Sequence, residues 1–311
     1  MSTHARLALG VALLLTVLAA VQWSIGWPQL LAPWRSLDPL ALALAAVLTL
    51  LSYLARTLRL YDYFLPATAG GLGACLKLTL LHNLLNNLLP MRSGELSFPL
   101  LLHRYFAVPL PRSLAALLWF RLMDLYALGL IALMAIGDHW LPAGWLAPLA
   151  VAWLALPWLL LTVQERLLPR VARRLPEHWR ARLAQARTGL PRTPVALMRA
   201  WFWTLFNWVV KLAVFAWILI LFAPLLSPAV ALLGAIGGDL TSVLPVHGVA
   251  GAGTYEAGVM AALLPFGVPA AQALMAAVNL HLFMLGLSLA GGALALALRH
   301  DVPTAGMLHH G

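Results

Sequence analysis

Long apolar runs separated by short polar connections set the pattern of this chain. Runs of about 20 apolar residues, enough to cross a bilayer as a helix, fall near 7–27, 39–58, 113–136, 145–163, 200–223 and 270–298. Two further stretches, 72–106 and 229–265, are apolar at their ends but broken near the middle by proline, glycine and charge. The first run follows Arg6 and reaches Trp27 and Pro28, so it is read as a retained span in preference to a cleaved signal peptide.

Composition agrees with the pattern. Of 311 residues, 62% are hydrophobic and only 10% charged, and the mean hydropathy is +0.88, outside the range of soluble domains. The expected fold class is an all-α polytopic membrane protein, a single transmembrane domain over 1–311. A soluble catalytic domain, which needs on the order of 100 residues, has no room among the spans. Cys75, the single cysteine, excludes an internal disulfide. No Cys/His array has zinc spacing, so neither metal nor cofactor is expected.

Charge supplies an orientation. Residues 164–199 carry nine of the 20 Lys and Arg residues against only Glu165 and Glu177, which marks 164–198 as a basic cytoplasmic loop or an amphipathic helix touching anionic headgroups. That segment accounts for the basic pI of 10.8, so nucleic acid is not expected as a partner. Counting outward, Arg6, Arg56, Arg59, Arg104, Arg112 and Arg299 also fall on the cytoplasmic side, with both termini. The order then reads span, span, broken hairpin, span over 5–138, and the same series in opposite orientation over 143–298. This is an inverted-topology repeat, with each hairpin either re-entrant or fully crossing.

Interrupted helices at membrane depth need protein or a watery cavity around them, and paired interruptions in inverted halves point to a transporter's site. In "NNLLPMRSGE", Pro90 ends a helix, Gly94 permits a turn, Ser93 caps the next helix, and Glu95 lies near its positive end. Asn86 and Asn87 are placed to bond freed backbone or a phosphate, and Arg92 to hold a phosphate bidentately. The alternative is a self-satisfied turn in which Arg92 pairs with Glu95. The second break holds Asp239, His247, Gly248, Gly251, Gly253, Thr254, Tyr255 and Glu256, and its glycines let backbone amides approach an anion. His247 is read as a hydrogen-bonding partner.

Other charges sit inside spans. Arg121 and Asp124 share a helical face, and Asp124 lies about 16 Å into its span at the usual rise. Lys211 is similarly deep, without a partner identifiable from sequence. An unpaired charge there costs about 2.5–3.5 kcal/mol, so these groups either form an ion-pair network or line a cavity. His82, His103 and His281 are assigned to packing or capping. Gly234, Gly238, Gly286, Gly291 and Gly292 are assigned to close helix packing, and the tryptophans to interface anchoring.

Together, Asn86-Asn87-x-x-Pro90-x-Arg92-x-Gly94-Glu95, the Arg121-x-x-Asp124 pair, Pro245 through Gly251-x-Gly253-x-x-Glu256-Ala257 and the following "FGVPAAQAL" resemble the flippase-like transmembrane domain of lysylphosphatidylglycerol synthases, over about residues 5–298. That family includes standalone members assigned to lipid or polyprenyl-linked sugar handling. Tyr255 departs from it, standing where arginine is frequent, so a phosphate-binding charge is either missing or supplied by His247 or Arg121. The aminoacyltransferase domain of the full synthases has no counterpart in these residues. The resemblance therefore implies the translocating half: a non-enzymatic flippase of the bacterial inner membrane, moving a phospholipid or polyprenyl-phosphate-linked lipid whose headgroup sits between the two breaks. A lipid-synthesising enzyme is the expected protein partner. An intramembrane lipid-modifying enzyme, a non-transporting assembly partner and a small-solute transporter are the alternatives.

Overall fold

The structure is a computed structural model. It describes residues 26–142, 144–241 and 249–298, with Leu15, Ala19, Gln22 and Trp23 before them. The side chains of residues 90–92, 138–140, 160 and 164 lie outside the description. So does most of the first span expected over 7–27.

Every described element is helical. In chain order they are α1 (Trp27–Leu31), α2 (Pro33–Ser36), α3 (Pro39–Tyr63), α4 (Leu72–Leu88), a 3-10 segment Pro90–Leu96, α5 (Ser97–Phe106), α6 (Leu110–Trp140), α7 (Leu146–Arg173), α8 (Glu177–Arg187), α9 (Pro194–Phe222), α10 (Pro228–Thr241), a 3-10 turn Val249–Gly251, α11 (Thr254–Leu263), a 3-10 turn Leu264–Phe266 and α12 (Ala270–Ala297). Five of them, α3, α6, α7, α9 and α12, are long and apolar enough to cross a membrane. They match the five expected spans that fall within the described residues. All but α12 overrun the apolar limits, since arginine is a good helix former and continues a helix past its greasy stretch. Thus α7 runs on through Arg173, and with α8 it makes most of the segment 164–198 helical.

Both interrupted stretches have the expected break. Leu89 is extended (φ −80°, ψ 134°) before Pro90, as the clash with a following proline ring requires. Two details differ from expectation. The hydroxyl at the start of α5 is Ser97, not Ser93: Ser97 Oγ donates to the Gly94 carbonyl at 2.6 Å and meets His82 Nδ1 at 2.8 Å. Gly94 is needed for close approach, since a Cβ there would overlap the Leu85 carbonyl and the Asn86 backbone on α4.

The chain divides into two compact units. The first draws on Met1–Tyr53, Leu80–Ser97 and Val209–Ala297. Here α10 packs tightly on α11, and α11 on α12. The α10–α11 contact is backbone on backbone: a Cβ on Gly237 would strike the Gly258 carbonyl, and one on Gly258 the Gly237 carbonyl and the Thr241 methyl. Gly234 faces Leu263 and Leu219, Gly238 faces the Tyr255 ring, Gly291 faces Leu80 and Gly292 faces Leu84. These are the close approaches that small residues give membrane helices. Gly286 is the exception, with open space where a Cβ would stand. Trp34 Nε1 donates to Asn279 Oδ1 at 2.6 Å, and Asn279 Nδ2 donates to the Leu30 carbonyl at 3.2 Å, tying α1 and α2 to α12.

The second unit draws on Leu54–Thr79, Phe98–Trp208 and Leu298–Gly311. Its core joins Leu60, Phe64, Leu78, Phe98, Leu102 and Phe120, with Phe98 edge-on to Phe120 at 6.0 Å between ring centroids. Trp119 and Trp208 are buried in the protein, so the tryptophans are not uniformly interface anchors.

Gly258→Val should cost about 1–3 kcal/mol, the usual range for overpacking, and lower the thermal unfolding midpoint of the detergent-solubilised protein. Gly286→Ala should leave that midpoint unchanged or raise it, since the added methyl meets nothing and alanine favours helix.

Candidate functional site

The two helix breaks meet. Within the first unit, Pro90–Leu96 packs against Val249–Gly251, so segments about 150 residues apart in sequence share one locality. Each break leaves backbone groups without intrahelical partners, and each is bordered by polar side chains.

Around the second break the ordering group is His281 on α12. Its Nδ1 lies 2.6 Å from Glu256 Oε1, and its Nε2 lies 2.8 Å from the Ala250 carbonyl. The other Glu256 oxygen accepts the Gly253 N–H at 2.8 Å, so this carboxylate caps the start of α11 from its third position. Backbone geometry here is special. Gly251 and Gly253 have φ of 80° and 84°, and Ala250, which carries a Cβ, has φ of 55°, a left-handed angle uncommon for such a residue. The Tyr255 ring lies 4.7 Å from the His281 ring. Tyr255 is only 2% exposed, and its hydroxyl has no hydrogen-bond partner among the described residues.

Beside this, Lys211 finds the partner that sequence could not name. Its Nζ donates to Asp239 Oδ1 at 2.7 Å and lies 4.9 Å from the Phe215 ring centroid. Both side chains are at most 10% exposed. Asp239 thereby has a counter-charge of its own, while its neighbour Gly238 accommodates the Tyr255 ring.

Around the first break, Asn87 Nδ2 donates to Ser288 Oγ at 2.6 Å and Asn83 Nδ2 to the same oxygen at 3.3 Å. Ser288 Oγ in turn donates to the Met284 carbonyl. The last turns of α4 are thus bonded to α12. Asn86 Oδ1 is buried without a hydrogen-bond partner among the described residues. Glu95 is half-buried on the 3-10 segment. Arg92 belongs to the same segment, with its side chain outside the description, and His247 lies outside the described residues altogether.

The second unit holds a separate charge cluster. Asp124 accepts Arg59 Nη1 at 2.8 Å, Arg121 Nη1 at 3.2 Å and the Trp208 indole N–H at 3.0 Å. Arg59 also donates to Thr204 Oγ1 at 2.9 Å and lies over the Phe120 ring at 4.4 Å. Two guanidinium groups thus face one carboxylate. Arg59 is 8% exposed and paired, a partner the sequence did not show. Arg56 likewise bonds Asn207 Oδ1 at 3.0 Å.

These are the same motifs on which the sequence resemblance rests, and the family model described as Lysylphosphatidylglycerol synthase TM region matches residues 7–292. The chain belongs to this family. No curated protein and no solved structure matches it. As a member of the synthase TM-region family with five helices of spanning length and composition, it is a multi-pass membrane protein, and the family ties it to membrane lipid.

Measured against the sequence reading of this TM region, the structure brings Glu95, Gly251, Gly253, Tyr255 and Glu256 to adjoining breaks and ties Asn87 and Asp239 into contacts with Ser288 and Lys211. It keeps Arg121 and Asp124 together in the other unit. His281 and Arg59 are the groups that sequence missed. A histidine in an apolar run signals a buried partner only in general terms, and nothing along the chain connects it with Glu256. His82 and His103 do behave as expected, His103 Nδ1 meeting the Val108 carbonyl at 3.1 Å.

Asp239→Asn leaves Lys211 buried without its carboxylate and should cost about 3–5 kcal/mol, the range for breaking a buried pair. The double variant Lys211→Met, Asp239→Leu should recover most of that loss. Thermal unfolding of the three proteins in one detergent measures both.

Proposed function

We propose that this protein moves a phosphate-bearing lipid, a phospholipid or a polyprenyl-phosphate-linked lipid, between leaflets of the bacterial inner membrane, with the headgroup received where the two helix breaks adjoin. The observation that carries the reading is the packing of Pro90–Leu96 against Val249–Gly251 inside one compact unit. A merely structural pair of breaks would be better served by apolar residues, whereas these are bordered by Arg92, Glu95, Tyr255, Glu256 and buried amides. Polar groups in a membrane helix are costly, and they mark substrate pathways when they face a cavity.

In this reading Arg92 holds the lipid phosphate, and Asn86 and the backbone of 248–253 donate or accept hydrogen bonds to the headgroup. Glu95 balances the arginine or binds a headgroup amine. Asn86 Oδ1 and the Tyr255 hydroxyl, buried and unbonded among the described residues, are groups that a polar ligand would satisfy. The acyl chains stay in the bilayer. The repeats over 5–138 and 143–298 form inverted halves, the interruptions are re-entrant or crossing hairpins, and both termini with the basic segment 164–198 face the cytoplasm. The protein performs no bond-making step itself and works beside an enzyme that synthesises its lipid.

Native mass spectrometry of the gently extracted protein, beside an Arg92→Ala, Glu95→Ala variant that retains the wild-type unfolding midpoint, tests this reading. A specific phospholipid or polyprenyl phosphate bound to the wild type should be lost, about tenfold or more, in the variant. In vesicles, movement of that lipid between leaflets should fall in parallel. Identical lipid profiles would return these charges to a structural role and sink the reading.

A further inference from the structure

The hydrogen bonds of His281 count protons. Its Nε2 faces the Ala250 carbonyl at 2.8 Å, and a carbonyl only accepts, so Nε2 carries hydrogen. Its Nδ1 faces Glu256 Oε1 at 2.6 Å, and this bond also needs a proton, either on Nδ1 as imidazolium against carboxylate or on Oε1 as a neutral acid against a neutral ring. Both distributions contain the same number of protons, and both leave the pair with no net charge.

Removing that proton changes the geometry. A neutral imidazole has a single N–H and would face two acceptors, so one of the two contacts must open. Either Glu256 is released from α12, or the Ala250 carbonyl is. In the second case the Ala250 backbone, at φ 55°, loses its side-chain partner. In the first, Glu256 keeps its second oxygen on the Gly253 N–H, so the start of α11 remains formed while its link to α12 is cut.

The neighbouring charges leave this pair as the site for the exchange. Asp239 on α10 has Lys211 of α9 as counter-charge. Tyr255 on α11 has its hydroxyl within electrostatic reach of Asp239 and Glu256. Glu95 stands half-buried on the 3-10 segment that packs against Val249–Gly251, and His82 on α4 is engaged with Ser97. Asp124, the remaining deep carboxylate, is bound by two arginines and an indole, so protonating it would remove the charge that two guanidinium groups face.

We propose that Glu256 and His281 form a proton-binding site at the second break, and that loading and unloading this proton drives the lipid movement. The second half of the proposal rests on the transporter reading above. In the loaded state the pair clamps α11 and the Ala250 turn to α12. On unloading, one proton leaves to water, the net charge of the pair goes from zero to minus one, and the clamp opens. A gradient of protons across the membrane then supplies the energy.

Histidine-selective nitrogen NMR of the full chain in lipid nanodiscs follows the ring directly, with His281 assigned by its loss in His281→Gln. Across the pH range over which the protein stays folded, the wild-type His281 signal should shift with pH. In Glu256→Gln the side-chain amide can donate to Nδ1 and keep both contacts around a neutral ring, so the shift should disappear. In vesicles, an imposed pH gradient should change wild-type lipid movement several-fold and leave Glu256→Gln unresponsive. A His281 signal constant over the whole range overturns the proton site. A titrating His281 with lipid movement indifferent to the gradient overturns the coupling and spares the transporter reading. Absence of lipid movement from the wild type under every gradient overturns both the coupling and the transporter reading.

Discussion

Backbone amides and carbonyls that leave water must be hydrogen-bonded inside the protein, and the two breaks are where that demand is hardest to meet. Long helices meet it by themselves. At Pro90 and again at Gly251 to Gly253 the ladder stops, and side chains take over: Ser97 on the Gly94 carbonyl, Glu256 on the Gly253 amide, His281 on the Ala250 carbonyl. Several polar residues of the first unit therefore gather at the breaks. Glycine serves the same demand differently, letting α10 and α11 come close enough for backbone to lie on backbone.

Once polar side chains are present for that purpose, they need partners in turn, and the structure supplies them in closed sets. Lys211 goes to Asp239, Asn87 to Ser288, Glu256 to His281. Asp124, with its two arginines and an indole, is the equivalent set in the second unit. In a medium that does not screen charge, such sets are stable only when complete. The site is consequently one in which adding or removing a single proton or ligand contact disturbs several bonds together.

Much of this was legible in the chain because span length and helix breaking are local properties. The apolar runs became α3, α6, α7, α9 and α12, and Pro90 ended its helix where its ring required. What escaped was pairing across sequence distance. Arg59 gave no sign along the chain of its pairing with Asp124, 65 residues away. His281 had no local signal for Glu256. Ser97, which the sequence reading did not single out, donates to the Gly94 carbonyl and meets His82. Gly286 fits a small-residue pattern with Gly291 and Gly292 but points at open space.

The pairings also differ in how far apart their members lie along the chain, and this bears on biogenesis. Lys211 and Asp239 are 28 residues apart on consecutive helices, so α9 and α10 can leave the insertion machinery as a hairpin whose charge is already cancelled. The bonds to Asn83 and Asn87 come from Ser288, 205 and 201 residues later. With synthesis running from the N-terminus, the amide side chains of α4 must wait while more than 200 further residues are made. Their final partners arrive only with α12, the last described helix, which completes the first unit.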